Sequence, residues 1–97
     1  MAKYRYIVLQ DFTVEGNALD EKGWKAYFSK EDEAAKKHGV KILFRGIPYG
    51  VSQSFVTVYE TEKYLDQLYK MFMEIGRSKI IAAANTITVT PVPWENA

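Results

Sequence analysis

Polar and apolar side chains alternate along four stretches of the chain with the period of two that is typical of β-strands. These stretches run from Tyr4 to about Phe12, from Val40 to Arg45, from about Ser54 to Glu60 and from about Thr86 to Thr90. The turn-forming sequence Gly46-Ile47-Pro48-Tyr49-Gly50 separates the second stretch from the third. We therefore predict four strands, of which the middle two form a hairpin.

A longer stretch, from about Leu19 to His38, has apolar residues at helical spacing instead. Asn17 or Asp20 is suited to cap its N-terminus, because either side chain can accept a hydrogen bond from a free backbone amide. Gly39 predicts the end of the helix, since glycine readily adopts the left-handed conformation found there. A second capping pattern, beginning at Ser29, allows a kink or a break within the helix.

A second helix is predicted from about Glu62 to Arg77, with Thr61 as its N-cap. The order β-α-β-β-α-β favours two helices packed on one side of a four-stranded antiparallel sheet. The preference for right-handed crossovers selects the ferredoxin-like sandwich among the possible topologies. We expect this α+β fold to form one domain over residues 1–97.

The alternation along each strand assigns its residues to two faces of the sheet. We expect one set to face the helices: Ile7, Leu9, Val40, Ile42, Phe44, Val56, Val58, Ile87 and Val89. The other set should form the open face: Tyr4, Tyr6, Val8, Gln10, Lys41, Leu43, Arg45, Phe55, Thr57, Tyr59, Thr86, Thr88 and Thr90. Four aromatic and two aliphatic residues are more than an open sheet face usually carries. Such a patch favours an interface, and the simplest is a two-fold homodimer.

Composition narrows the chemistry that the chain can perform. There is no cysteine, which excludes disulfides and thiolate chemistry, and a single histidine excludes a histidine-rich metal centre. We predict neither a metal nor a cofactor. Thirteen Lys and Arg against twelve Asp and Glu give a net charge of +1, too little to attract nucleic acid or an anionic membrane. With no leader pattern and no long apolar run, we expect a cytoplasmic protein.

Several segments together resemble the dimeric α+β barrel superfamily. They are strand Tyr4–Phe12, the helix end at His38-Gly39-Val40-Lys41-Ile42, strand Ser54–Tyr59 and the closing Ile87-Thr88-Val89-Thr90-Pro91. The resemblance implies two ferredoxin-like sheets that meet face to face, with the helices outside. Members of that superfamily include small monooxygenases, haem-degrading enzymes, lactone isomerases and stress proteins without assigned chemistry. The Asn, Trp and His set of the haem-degrading members has no counterpart here, because the single histidine closes a helix.

The first helix offers one candidate site. Tyr27, Glu31 and His38 flank the small residues Ala34 and Ala35 on one helical face, so that a groove could lie between helix and sheet. Glu31 and His38 would then serve as weak candidates for an acid and a base. The alternative interpretation is structural: the alanines allow close packing, and the histidine interacts with the C-terminal end of the helix.

The interior of the expected barrel offers a second candidate site. Tyr6, Gln10, Arg45 and Tyr59 would place polar groups on an aromatic lining, an arrangement suited to a small apolar or aromatic molecule; Tyr27 joins them as a ligand-binding candidate. The alternative is a dimer interface without a ligand, because such interfaces also favour tyrosine and arginine.

Nucleic acid is a third possibility, because RNA-recognition domains stack bases on aromatic residues of an open sheet. Tyr6 and Phe55 would do so here, with Lys41 and Arg45 near phosphates. The third strand lacks the basic and glycine positions of that motif, so we expect no nucleic-acid partner. The sequence therefore predicts a homodimer that binds a small apolar or aromatic molecule, with monooxygenase- or isomerase-like activity as one option. A non-enzymatic interaction module is the alternative.

Overall fold

The four strands form one antiparallel sheet in the computed structural model, which describes residues 3–90. They are β1 (Tyr4–Phe12), β2 (Lys41–Gly46), β3 (Phe55–Thr61) and β4 (Ile81–Val89), in the spatial order β2-β3-β1-β4. The first strand has the predicted bounds, whereas β4 begins five residues before the predicted position. The order and the antiparallel pairing are those of a ferredoxin-like sheet, as the sequence indicated. Pro91, the last residue of the segments that carry the resemblance, lies outside the described residues.

The long helix α2 (Glu21–His38) follows a four-residue helix, α1 (Val14–Asn17), that the sequence did not reveal. Of the two predicted caps for α2, Asp20 is the one used: its carboxylate accepts a hydrogen bond from the Gly23 amide at 2.8 Å. The helix ends at Gly39, whose φ of 71° is left-handed, as predicted. It runs through Ser29 without a break.

The last helix, α3 (Asp66–Glu74), is shorter than expected and is followed by a 3₁₀ turn at Arg77–Lys79. Thr61 does not cap it, because this residue ends β3 and its hydroxyl donates to the Lys63 carbonyl at 2.6 Å. Leu65 occupies the cap position with a φ of 59°, and its amide donates to the Tyr6 hydroxyl at 2.8 Å. The predicted first turn of the helix is therefore a bend over the sheet.

The predicted assignment of the two sheet faces is wrong for β1, β3 and β4. Six residues expected on the open face are buried beneath the helices: Tyr6, Val8, Gln10, Phe55, Thr57 and Tyr59. Several of them pack against Ala34 and Ala35 of α2 and against Leu68 and Met71 of α3. The open face instead carries Ile7, Leu9, Phe44, Val56, Val58, Ile87 and Val89, as the pairing register requires.

Strand β2 shows how its faces change partway along. Val40 just before it and Ile42 within it pack toward the core, as predicted. The register shifts between Ile42 and Phe44, so that Arg45 lies opposite Thr57 on the covered side and Phe44 lies opposite Val58 on the open side. A bulge of this kind changes the face that each later side chain occupies. Period-two alternation could not reveal it.

Candidate functional site

A buried carboxylate lies at the centre of the contact between α2 and the sheet. Glu31 is only 3% exposed, yet both of its oxygens have partners. The Tyr59 hydroxyl donates to Oε2 at 2.8 Å, and the Arg45 guanidinium donates to Oε1 at 2.7 Å from Nη2 and 3.2 Å from Nε. A carboxylate buried without such partners would be strongly destabilising. This trio therefore fixes α2 against β2 and β3.

Arg45 has further contacts that hold its guanidinium in place. Nη2 also donates to Asp32 at 2.8 Å, and the group lies over the Phe28 ring with 4.4 Å between Cζ and the ring centre. Burial alone lowers the pKa of Arg45, but its hydrogen bonds to Glu31 and Asp32 outweigh that effect and raise it. The side chain is therefore a fixed, permanent cation at the edge of the sheet.

A second polar chain runs along the covered face. The Gln10 amide donates to the Thr57 hydroxyl at 3.0 Å, and its carbonyl oxygen accepts a hydrogen bond from Arg77 Nη2 at 2.9 Å. Arg77 comes from the 3₁₀ turn after α3, and its guanidinium lies 4.1 Å from the centre of the Phe72 ring. The amide of Gln10 thus links the sheet to the end of the last helix.

Two tyrosines near Glu31 have altered acidity. Burial, followed by the charge of Glu31, raises the pKa of Tyr27 to about 12. The same causes, together with the hydrogen bond to Glu31, hold the pKa of Tyr59 well above its ordinary value of 10. Both phenols therefore stay neutral at physiological pH, and Tyr59 acts as a hydrogen-bond donor.

An aromatic pocket opens beside Arg45. It has a volume of about 240 Å³, and its lining consists of Phe12, Trp24, Phe28, Arg45, Gly46, Ile47 and Phe55. Four of these residues form a connected group of rings: Phe12 lies 4.8 Å from Trp24 and 4.9 Å from Phe55, and Trp24 lies 5.5 Å from Phe28, measured between ring centres. The guanidinium is the charged group among otherwise apolar walls.

The structure brings together most of the residues singled out in the sequence, but at a different place. Arg45, Tyr59 and Glu31 are in direct contact, Tyr27 lies near enough to respond to the charge of Glu31, and Gln10 joins the neighbouring chain of hydrogen bonds. Their common location is the space between α2 and the sheet. The prediction that Tyr6, Gln10, Arg45 and Tyr59 line the interior of a barrel is therefore wrong, because all four lie on the covered face.

Two predicted residues lie apart from this cluster. Tyr6 is fully buried, and its hydroxyl contacts Thr61 and the Leu65 amide. His38 pairs with Glu74 of α3 at 3.1 Å, so it shares no partner with Glu31. Ala34 and Ala35 are buried in the core between the helices and the sheet. Their burial favours the structural interpretation, in which the two alanines allow close packing, over a groove with an acid and a base.

Sequence reasoning missed the aromatic pocket and Arg77. In the sequence, Trp24 and Phe28 are two of the apolar residues at helical spacing in the first predicted helix, and Phe12 only ends the first predicted strand. Their spacing on α2, four residues apart, is a signal that they share a helical face. No local pattern indicates that the ends of β1 and β3 meet them there.

Residues 3–90 contain neither a candidate metal site nor a candidate membrane-spanning helix. This part of the chain holds no group of three acidic, histidine or cysteine side chains arranged to bind a metal ion. None of its helices combines the length and apolar character needed to cross a membrane.

Comparison with solved structures gives matches over nearly the whole chain. A chlorite dismutase variant from Candidatus Nitrospira defluvii is 20% identical, with a TM-score of 0.70 over 96% of this chain and 42% of that chain. A dabb family protein with a ferredoxin-like fold from Mesorhizobium loti is 11% identical, with a TM-score of 0.55 over 95% and 99% of the two chains. A dimeric protein of unknown function and ferredoxin-like fold from Bacteroides fragilis is 14% identical, with a TM-score of 0.51 over 90% and 94%.

The matches are informative about the fold alone. This chain spans 42% of the length of the chlorite dismutase, and all three identities are 20% or lower. No family model matches the sequence, and no curated protein is similar to it. The fold that the sequence implied is nevertheless confirmed: the chain has a ferredoxin-like α+β fold.

Proposed function

We propose that this protein is a homodimer that binds a small, oxygen-bearing aromatic molecule in the pocket formed by Phe12, Trp24, Phe28 and Phe55. The observation that carries the proposal is the combination of four clustered rings with one fixed cation, Arg45. Ligand sites typically consist of apolar and aromatic walls with a few well-placed polar groups. The volume of about 240 Å³ suits a small, compact ligand.

The chemistry of the lining favours an aromatic ligand over an aliphatic one. Offset or edge-to-face ring pairs contribute about 0.5–1.5 kcal/mol beyond the burial of apolar area. Arg45 is held by Glu31 and Asp32, so it need not lose side-chain entropy when it donates a hydrogen bond to an oxygen of the ligand. A phenol-like molecule satisfies both requirements.

Isothermal titration calorimetry with p-cresol tests this assignment, with 4-methylcyclohexanol as the non-aromatic counterpart. We expect p-cresol to bind measurably more tightly, and we expect its affinity to fall roughly tenfold in Trp24→Leu, which loses ring contacts worth about 1 kcal/mol or more. Tyr69→Leu is the matched control, because this exposed aromatic residue lies outside the pocket. Equal affinity for the two compounds, or an equal loss in the control, would contradict the proposal.

Dimerisation is supported by the open face of the sheet. Its seven apolar residues lie on all four strands, and Phe44 is 62% exposed while Ile87 is 46% exposed. Apolar patches that cross a whole sheet usually mark an interface. One of the similar structures is a dimeric protein with a ferredoxin-like fold. A second copy of this chain would offer the same apolar surface across a two-fold axis.

Binding is favoured over acid–base catalysis at this site. A general base must come within hydrogen-bond reach of the proton that it abstracts. Glu31 is only 3% exposed, and its oxygens already accept three hydrogen bonds from Tyr59 and Arg45. The specific RNA-binding arrangement considered for this sequence is also disfavoured, because Tyr6 and Phe55 are buried and cannot stack on bases.

A further inference from the structure

A second concavity lies on the other side of the polar cluster, between the end of α3 and the start of β4. It has a volume of about 510 Å³ and is lined by Phe72, Met73, Gly76, Arg77, Ser78, Ile81 and Ala82. It shares no lining residue with the aromatic pocket. Its walls are mainly apolar, and Arg77 supplies the only charge among its lining residues.

The partners of Arg77 do not neutralise its charge. Within residues 3–90 no carboxylate lies within 4 Å of this guanidinium, although eight other ion pairs are present. Its contacts are a neutral amide, Gln10, and the face of the Phe72 ring. Its Nε atom is buried and has no hydrogen-bond partner. A buried donor without a partner is unfavourable, because it has lost its hydrogen bonds to water.

This arrangement differs from that of Arg45 on the opposite side of the cluster. Arg45 is paired with Glu31 and with Asp32, at 2.7 and 2.8 Å. Arg77 is held in position by a hydrogen bond to Gln10 and by the Phe72 ring, but no carboxylate within residues 3–90 pairs with it. A half-buried guanidinium held in place without a counter-ion is suited to bind a carboxylate, whose two oxygens match its planar donors.

We propose that this concavity, which we call the Arg77 groove, binds an aliphatic monocarboxylate. The carboxylate pairs with the guanidinium, and the hydrocarbon chain lies along Phe72, Met73 and Ile81. The length of the apolar walls and the single charge exclude a compact polyanion, for which one arginine provides too few donors. The proposal is independent of the aromatic pocket, since it rests on different residues and on a different ligand class.

Isothermal titration calorimetry with octanoate and with octan-1-ol tests the charge requirement directly, because the two probes have the same number of carbon atoms. We expect octanoate to bind at least about tenfold more tightly than the alcohol, as one charge-assisted hydrogen bond contributes roughly 1.5–3 kcal/mol. Added salt should weaken octanoate binding and leave octan-1-ol binding unchanged. Both measurements use the unmodified protein, so they do not depend on how a variant folds.

Three substitutions at two positions of the same turn locate the site. Arg77→Met should remove the preference for octanoate, whereas Lys79→Met removes a nearby charge that does not line the groove and should leave the preference intact. Arg77→Lys keeps the charge, and it should keep part of the preference even if the loss of the Gln10 contact lowers stability. Equal affinity for the two probes, salt-independent octanoate binding, or an equal loss in Lys79→Met would each overturn the proposal.

Discussion

The two faces of the sheet differ in the polarity of their side chains. Along β1, Tyr6 lies on the face beneath the helices and is completely buried, while its neighbour Ile7 lies on the open face. The covered face carries Val8 and Phe55 together with four side chains that each have a polar atom, Tyr6, Gln10, Thr57 and Tyr59. The open face carries mostly β-branched and aliphatic side chains without polar atoms.

The side chains of the two faces differ because the two faces contact different groups. The helices and the segments beside them supply hydrogen-bonding groups: Glu31 to Tyr59, Arg77 to Gln10 and the Leu65 amide to Tyr6. Buried hydroxyls and amides require such groups, whereas an aliphatic face requires only another apolar surface. The polar atoms of the covered face therefore decide which face packs against the helices, and we propose that the more apolar open face contacts a second copy.

We expect the largest effects, on folding stability and on dimerisation, from substitutions that place a carboxylate on one face or on the other. Tyr6→Asp removes a fully buried ring and leaves an unpaired charge in the core, which should destabilise the fold by about 4 kcal/mol or more. Ile7→Asp, one residue further on, should leave the monomer folded and should dissociate the dimer. Urea unfolding combined with sedimentation velocity measures both effects. If Ile7→Asp unfolded the chain and Tyr6→Asp only dissociated the dimer, the assignment of the two faces would be wrong.

The next effect concerns the ion pair beneath α2. Arg45→Met leaves the Glu31 carboxylate buried with Tyr59 as its remaining partner, so the free energy of unfolding should fall by roughly 3 kcal/mol. Lys25→Met provides a control, because the Lys25–Glu21 pair on α2 is exposed at both side chains, by 76% and 85%. Its loss should be about 1 kcal/mol or less. Chemical denaturation that finds equal losses would remove the distinction between buried and exposed pairs.

Close packing of α2 on the covered face gives the third prediction. Ala34→Leu adds volume where the helix contacts the sheet, so we expect a destabilisation of roughly 1–3 kcal/mol in thermal or urea unfolding. Ala26→Leu, at an exposed position of the same helix, should have little effect. Retained stability in Ala34→Leu would show that space exists beneath the helix at this point.

The smallest expected effect is on how the free energy of unfolding changes at alkaline pH. Since the pKa of Tyr27 is raised from 10 to about 12, the unfolded chain loses this proton first as the pH rises. The stability that the neutral phenol contributes is therefore present below pH 10 and is lost as the pH approaches 12. Tyr27→Phe should make the unfolding free energy decline less steeply over this range. A titration of tyrosinate absorbance in which Tyr27→Phe removed an early-titrating group would contradict the assignment.

Local signals in the sequence predicted much of the architecture. The bounds of β1, the cap at Asp20 and the end of α2 at Gly39 follow from short-range chemistry, and all three are confirmed. The element order then leads to the ferredoxin-like fold. The start of α3 was misplaced because the Tyr6 hydroxyl binds the Leu65 amide, a contact between residues 59 positions apart.

The faces and the candidate site could not be derived in the same way. Alternation distinguishes an apolar face from a polar one, but here both faces of β1 and β3 carry apolar residues. The bulge between Ile42 and Phe44 then places Arg45 on the covered side. The aromatic pocket likewise depends on Phe12, Trp24 and Phe55, which meet only in the folded chain. These features follow from tertiary contacts that no local pattern contains.

We propose that the open face of the sheet is an interface between two copies of this chain. Sedimentation equilibrium of the unmodified protein at high micromolar concentration measures whether the two copies associate. We expect a mass twice that of the 11.1 kDa chain, and we expect Val58→Asp, on the open face, to sediment as a folded monomer with an unchanged circular dichroism spectrum. A mass of 11.1 kDa for the unmodified protein at that concentration would contradict the account.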